Sequence, residues 1–162
     1  MQRMDAPSSI AFDTRAGFQQ QLRGLLVRSF VTLDLFDPDF ALFQLGAPDI
    51  DAGLRRFLHT GGFLRLAMHT GAHLERHEPR FPRLLRDYSH RIECRVTPRS
   101  LRQLTDSFAI GDGMHVVRRF HSAHLRGIAA YDAPQEIELP RARFTAIWAD
   151  AEPGLQPSIS GL

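Results

Sequence analysis

The sequence predicts a single α/β domain in which a mixed, mostly parallel sheet of about six strands carries helices on both faces. Three observations predict this class. Apolar, β-branched segments alternate with amphipathic segments over the first hundred residues, Asp112-Gly113 is a strong hairpin signal, and a long amphipathic stretch follows near the end. We expect the domain over residues 13–151, with an N-terminal extension over 1–12 and an irregular tail over 152–162.

The first part of the chain alternates helices and strands. Phe18, Leu22 and Leu25 recur at helical spacing, and Asp37-Pro38 stops the apolar segment that follows. The predicted elements are a helix from Asp13 or Thr14 to about Ser29, a strand over Phe30–Phe36, a helix from Asp49 to Gly61-Gly62, a strand over Phe63–Met68, a helix over Pro79–Tyr88 and a strand over Ile92–Val96.

The second part predicts antiparallel strands and a closing helix. Ser100 and Gln103 have capping-box spacing, which indicates one helical turn between Pro98 and Leu104. The remaining predicted elements are strands over Ser107–Gly111 and Met114–Arg119 joined by the hairpin, a strand over Gly127–Tyr131, and a helix opened by Pro140 with Phe144, Ile147 and Trp148 facing the core.

Composition limits the class of protein. No apolar run is long enough for a bilayer span or a signal peptide, so we expect a cytoplasmic protein that does not associate with membranes. Cys94 is the only cysteine, which excludes an internal disulfide and fits a reducing compartment, and we expect it to be a small buried residue. The glycines match no phosphate-loop spacing, and we expect no cofactor.

All 20 basic residues are arginines, and they are concentrated in the middle of the chain. Residues 54–102 hold 11 arginines against 4 acidic residues. Such a segment attracts phosphate-bearing partners, which makes this a candidate nucleic-acid-binding module. The candidate contacts are Arg76, Arg80, Arg83, Arg86 and Arg91. The alternative is an ordinary solvated helix face.

The order of the elements resembles one catalytic half of the phospholipase D and nuclease superfamily. More narrowly, residues 15–155 are similar to a family of uncharacterised bacterial domains related to that superfamily. The resemblance implies a phospholipase D-like half with the motif His-x-Lys-x4-Asp, in which the histidine attacks phosphorus and the lysine binds the phosphoryl oxygens. Since two such halves pair in the superfamily, it also implies a homodimer.

The motif is incomplete in this sequence. Thr105 stands at the histidine position, Ser107 at the lysine position and Asp112 at the aspartate position, and the chain contains no lysine. The Gly-Ser pair that usually follows the motif is replaced within Arg118–Ser122. We therefore expect a degenerate, non-catalytic domain that acts in binding or assembly.

A second arrangement could hold a phosphate-bearing ligand. Strand alternation puts His115 and Arg119 on one face, together with His121 if the strand continues, and Arg118 on the other. Arginine can bind phosphate in bidentate fashion. The enzymatic alternative is thus a histidine-dependent or metal-assisted phosphoesterase. The simpler alternative is that these polar side chains face solvent.

Two further groups are weak candidates for a site. His73 and His77 are spaced to share one helix stripe and could hold a metal, or they could simply begin a polar helix, whereas His69 falls where a strand ends. Asp34 and Asp37 mark the strand end where open α/β sheets bind ligands, and Asp34 needs a hydrogen-bond partner if it is buried.

Overall fold

A computed structural model describes residues 9–157 of the chain. Its strands and helices are β1 (Ser9–Phe12), α1 (Arg15–Arg28), β2 (Thr32–Phe36), α2 (Pro48–His59), β3 (Phe63–Met68), α3 (Ala72–His77), α4 (Arg80–Asp87), β4 (Ile92–Val96), β5 (Ser107–Gly111), β6 (His115–Arg119), β7 (Gly127–Ala130), α5 (Pro134–Asp150) and β8 (Glu152–Pro153). A 3₁₀ turn over Arg99–Leu101 joins β4 to β5.

The strands form one sheet in the order β1-β7-β6-β5-β2-β3-β4-β8. The α/β class with a mixed sheet is confirmed, but the sheet has eight strands rather than six. Only β2, β3 and β4 run parallel to one another, and every other neighbouring pair is antiparallel, so the sheet is not mostly parallel as expected. The two extra strands are the short edge strands β1 and β8, which come from segments expected to lie outside the domain and are too short to show a period in the sequence.

Helices cover both faces of the sheet, as predicted. One face packs against α1, α2, α3 and α4, and its core contains Phe18, Leu22, Leu35 and Leu64. The other face packs against α5 through a smaller cluster that includes Phe36, Phe108, Phe144 and Ile147. We call these the α1 face and the α5 face. Because side chains alternate along a strand, each residue of β5 and β6 points to one of them.

Several predicted boundaries needed correction. Helix α2 begins after Ala47, with Pro48 in its first turn, so Asp49 is not its cap. Helix α5 begins at Pro134, which occupies the first turn where proline is favoured. Pro140, which was predicted to open the helix, lies inside it. The turn after β4 has no side-chain cap, so the capping box predicted there does not form.

The sheet has two ends that matter for the site. The last residues of β2, β3, β4 and β6 and the first residue of β5 lie together, at what we call the carboxyl end. The opposite end carries the tight turn at Asp112-Gly113, and we call it the hairpin end. Asp112 and Gly113 both have positive φ, of 55° and 64°, which is why this dipeptide makes the turn.

Candidate functional site

A buried ion pair lies at the carboxyl end of the sheet. Nη2 of Arg119, the last residue of β6, donates to Oδ1 of Asp37 at 2.8 Å. Each side chain is only 2% exposed. Asp37 directly follows β2. Strand β5 lies between β2 and β6 and is antiparallel to both, so the last residues of β2 and β6 lie at the same end of the sheet.

The other donors of the Arg119 guanidinium are also used within the protein. Its Nε donates to Oγ of Ser107 at 3.2 Å, and its Nη1 donates to the carbonyl oxygens of Ser122 at 2.7 Å and His124 at 3.1 Å. The guanidinium carbon lies 5.4 Å from the centre of the Phe18 ring. Arg119 therefore binds a carboxylate, a hydroxyl and two carbonyls of its own chain.

Asp37 is held as tightly as its partner. Its Oδ2 accepts from the backbone N–H of Asp39 at 3.0 Å and of Phe40 at 2.7 Å. Burial raises the pKa of this carboxyl above its ordinary value, while hydrogen bonds from Ser107 and the two amides and the charge of Arg119 oppose that rise. The turn expected at Asp37 exists, and the same carboxylate also neutralises Arg119.

The three motif positions do not lie together. Ser107 is 1% exposed and belongs to the Arg119 cluster, whereas Thr105 is exposed two residues before it. Asp112 lies past the other end of β5, at the hairpin end. Its carboxylate accepts from the backbone N–H groups of Phe30, Val31 and Thr32 at 2.8 to 3.1 Å, so it clamps the entry to β2.

The candidate anion-binding residues also lie in different parts of the sheet. His115 and Arg119 share the α1 face of β6 as alternation predicted, but they lie at its opposite ends. His115 is 3% exposed, and its Nδ1 accepts from the backbone N–H of Asp132 at 3.0 Å. His121 lies in the loop after β6 and accepts from the N–H of Ala123. Arg118 points to the α5 face.

The other candidate histidines lie after β3 and on α3. His69 directly follows β3 and is not helical, as expected. Its ring nitrogens lie 2.6 Å from Oγ1 of Thr97 and 2.8 Å from the Leu104 carbonyl oxygen. The rings of His73 and His77 on α3 are 5.3 Å apart. Within residues 9–157 no three His, Cys, Asp or Glu side chains are grouped so that they could hold a metal ion.

The candidate nucleic-acid contacts all lie on the surface. The exposed residues are Arg76 on α3, Arg80, Arg83 and Arg86 on α4, and Arg91 before β4. The three on α4 are spaced by three residues, which puts them on one side of the helix. Arg80 and Arg91 each donate to a backbone carbonyl, and in the described part of the chain none of the five lies within 4.0 Å of a carboxylate.

Two carboxylates, Asp34 within β2 and Asp37 directly after it, have partners that the sequence did not name. Asp34 accepts from Nε and Nη2 of Arg65 on β3, at 2.8 and 3.0 Å, which supplies the hydrogen bonds it needed. The sequence marked Asp37 as a weak candidate but did not indicate Arg119 as its partner, because the two residues are 82 positions apart. The only local signal was an acid directly after an apolar strand.

The family follows from the sequence match. The model of a domain of unknown function, DUF7931, matches residues 14–156. The chain belongs to the DUF7931 family. No curated protein sequence matches it at a significant level.

Solved structures show the fold of this DUF7931 domain. It is similar to Nuc, a phospholipase D family member from Salmonella typhimurium, with a TM-score of 0.68 and 14% identity, over 91% of this chain and 98% of that one. NucT from Helicobacter pylori gives 0.64 and 8%, over 93% and 100%. The fold is therefore phospholipase D-like, as the element order predicted.

A third similar structure is TrmBL2, an archaeal chromatin protein described as having a novel mode of DNA binding. It gives a TM-score of 0.67 and 12% identity over 94% of this chain, which spans 56% of that one. No helix in the described range of this DUF7931 domain is long and apolar enough to cross a membrane.

Proposed function

We propose that this chain is a non-catalytic phospholipase D-like domain that acts in binding or assembly. One observation carries the proposal. Ser107, at the position of the motif lysine, is buried and hydrogen-bonded to Arg119, whose guanidinium is itself neutralised by Asp37.

The chemistry of the phospholipase D superfamily needs a nucleophile and a cation that is free to bind phosphoryl oxygens. Thr105 and Ser107 have ordinary hydroxyls, and neither has a histidine among its hydrogen-bond partners in the described residues. Arg119 is the cation nearest to Ser107, but four of its hydrogen bonds go to groups of the chain itself. Ser107, Arg119 and Asp37 together thus form a structural cluster at the place where the fold would otherwise bind phosphate.

A catalytic assay tests the proposal directly. Generic phosphodiester and phosphomonoester substrates would be incubated with the purified protein, with and without divalent metals, and we expect no turnover above buffer. Turnover that is lost in His115→Ala or His121→Ala would instead favour the histidine-dependent or metal-assisted phosphoesterase. A matched surface control is His90→Ala, since His90 is exposed and belongs neither to the Arg119 cluster nor to the candidate anion-binding residues.

We also propose that the chain forms a symmetric homodimer, because one chain supplies one phospholipase D-like half. Sedimentation equilibrium at micromolar concentration would give twice the chain mass of 18.3 kDa. A single species of 18.3 kDa at that concentration would contradict the dimer without affecting the non-catalytic assignment.

The second candidate function is nucleic-acid binding through the exposed arginines of α3 and α4. Its support is the unpaired basic side of α4, together with the similarity in fold to a chromatin protein. Labelled DNA and RNA would be titrated at several salt concentrations, and binding through phosphates would weaken steeply as salt rises. The double variant Arg83→Gln/Arg86→Gln should lose affinity, whereas Arg141→Gln/Arg143→Gln on α5 should not. Absence of binding at low salt would reject this function.

A further inference from the structure

A cleft opens on the α5 face of the sheet, between β5, β6 and helix α5. It has a volume of about 510 Å³, which is in the range of ligand-binding pockets. Its apolar lining consists of Phe108, Phe120, Leu139, Pro140, Ala142 and Ala146. A concave site with mostly apolar walls and few polar groups is the usual form of a small-molecule site.

The rim of the cleft exposes apolar surface that the fold does not use. Leu139 on α5 is 84% exposed, and Phe120, just after β6, is 52% exposed. They are two of the seven large hydrophobic side chains exposed in the described part of the chain, and both border this one cleft. Covering them would remove apolar surface from water, which favours a ligand with an apolar body.

One cation in the cleft has no partner among residues 9–157. The cleft has a single carboxylate, that of Asp106, which already accepts from Nε of Arg143 at 3.0 Å. Arg118 is half-buried and makes no hydrogen bond or ion pair within the described residues, and its guanidinium carbon lies 5.4 Å from the centre of the Phe120 ring. With Asp106 and Arg143 neutralising each other, Arg118 leaves the cleft with an excess positive charge.

This cleft is distinct from the Arg119 cluster. Ser107 and Arg119 border it, but their side chains belong to the α1 face, where their polar atoms bind each other and Asp37. Phe108 and Arg118 are directly paired across β5 and β6 and point to the α5 face. The guanidinium of Arg118 and the apolar walls of the cleft therefore lie on the side of the sheet opposite the side chain of Ser107.

We propose that this cleft binds an amphipathic anion, with an apolar chain lying between β6 and α5 and a carboxylate or phosphate head group facing Arg118. The proposal rests on the assignment of the domain as a binding domain, and it names the class of ligand. A guanidinium suits either head group, because both offer oxygens for a bidentate grip.

Four probes separate charge from apolar character. Dodecanoate and dodecyl phosphate carry both features, dodecyltrimethylammonium carries the chain with the opposite charge, and inorganic phosphate carries the charge alone. Isothermal titration below the micellar concentration of each probe should show binding of the two anionic amphiphiles and neither of the others. The stronger of the two would identify the head group.

Two variants place that binding in the cleft. Arg118→Gln should weaken binding about tenfold, the effect of losing one charge-assisted interaction. Ala142→Phe should weaken it by filling the cleft. The matched control is Arg141→Gln, which makes the same change of charge at an exposed position of α5 that does not line the cleft. Circular dichroism would confirm that each variant is folded.

Equal affinity of Arg118→Gln and Arg141→Gln, or equal binding of the cationic and anionic amphiphiles, would overturn the proposal. So would a chain mass that falls from dimer to monomer in Ala142→Phe without ligand, since a second copy would then cover the cleft. None of these results depends on turnover. Phosphodiester hydrolysis would overturn the non-catalytic assignment instead, so the two failures are distinguishable.

Discussion

Arg119 and Asp37 join the end of β6 to the end of β2 through one hydrogen-bonded ion pair of 2.8 Å, although 82 positions separate them in the chain. Both are almost completely removed from water. Taking two charges out of water is unfavourable, and their attraction offsets that loss only when the other polar atoms are satisfied as well. Ser107, two carbonyls and two amides satisfy them here.

Removing one member of this pair should be strongly destabilising. Arg119→Met leaves the carboxylate of Asp37 buried without its counter-ion, and we expect the free energy of unfolding to fall by about 3–5 kcal/mol. Urea unfolding followed by circular dichroism measures this. The control is Arg143→Met, which breaks the exposed pair with Asp106 and should cost about 1 kcal/mol or less. Similar losses in the two variants would contradict the structural role of Arg119.

The loss in Arg119→Met should depend on pH. The pKa of Asp37 is already raised by burial, and removing the arginine raises it further, so the folded variant binds a proton that the unfolded chain releases. The folded state then holds more protons, and stability falls as pH rises from the ordinary carboxyl pKa towards neutrality. Unfolding curves of wild type and variant across this range should diverge as pH increases. A constant difference would show that Asp37 stays ionised.

Asp112 should stabilise the protein although it is not part of the Arg119 cluster. Asp112→Ala removes the acceptor for three backbone N–H groups, and it also places alanine at a φ of 55°. Asp132→Ala is a matched control, because Asp132 has a φ of 51° but its exposed carboxylate has no hydrogen bond in the described residues. We expect Asp112→Ala to lose about 1–3 kcal/mol more than the control. Equal losses would mean that the clamp contributes nothing.

Cys94 should be unreactive in the folded protein. It lies on β4, is 2% exposed, and burial raises the pKa of its thiol to about 12. Since the thiolate is the nucleophile, labelling with Ellman's reagent should be very slow in native buffer and complete in denaturant. As Cys94 is the only cysteine, the signal comes from one site. Rapid labelling of the native protein would show that β4 opens readily.

The sequence determined those features that depend on neighbouring residues. Helical spacing placed α1, an apolar run placed β3, apolar–polar alternation placed β4, and Asp112-Gly113 placed the hairpin, because each pattern lies within one element. The order of these elements was sufficient to predict the phospholipase D-like fold. The absence of lysine and the residues at Thr105 and Ser107 were sufficient to question catalysis.

Only the tertiary structure decided where the polar side chains meet. Alternation put His115 and Arg119 on one face, but they lie at opposite ends of β6. The partner of Arg119 is Asp37, which follows β2, and β5 lies between β2 and β6 in the sheet. The two edge strands β1 and β8 are short and gain their hydrogen bonds only from β7 and β4. The cleft beside Arg118 likewise exists because α5 packs across β5 and β6, a contact between distant segments that no local pattern encodes.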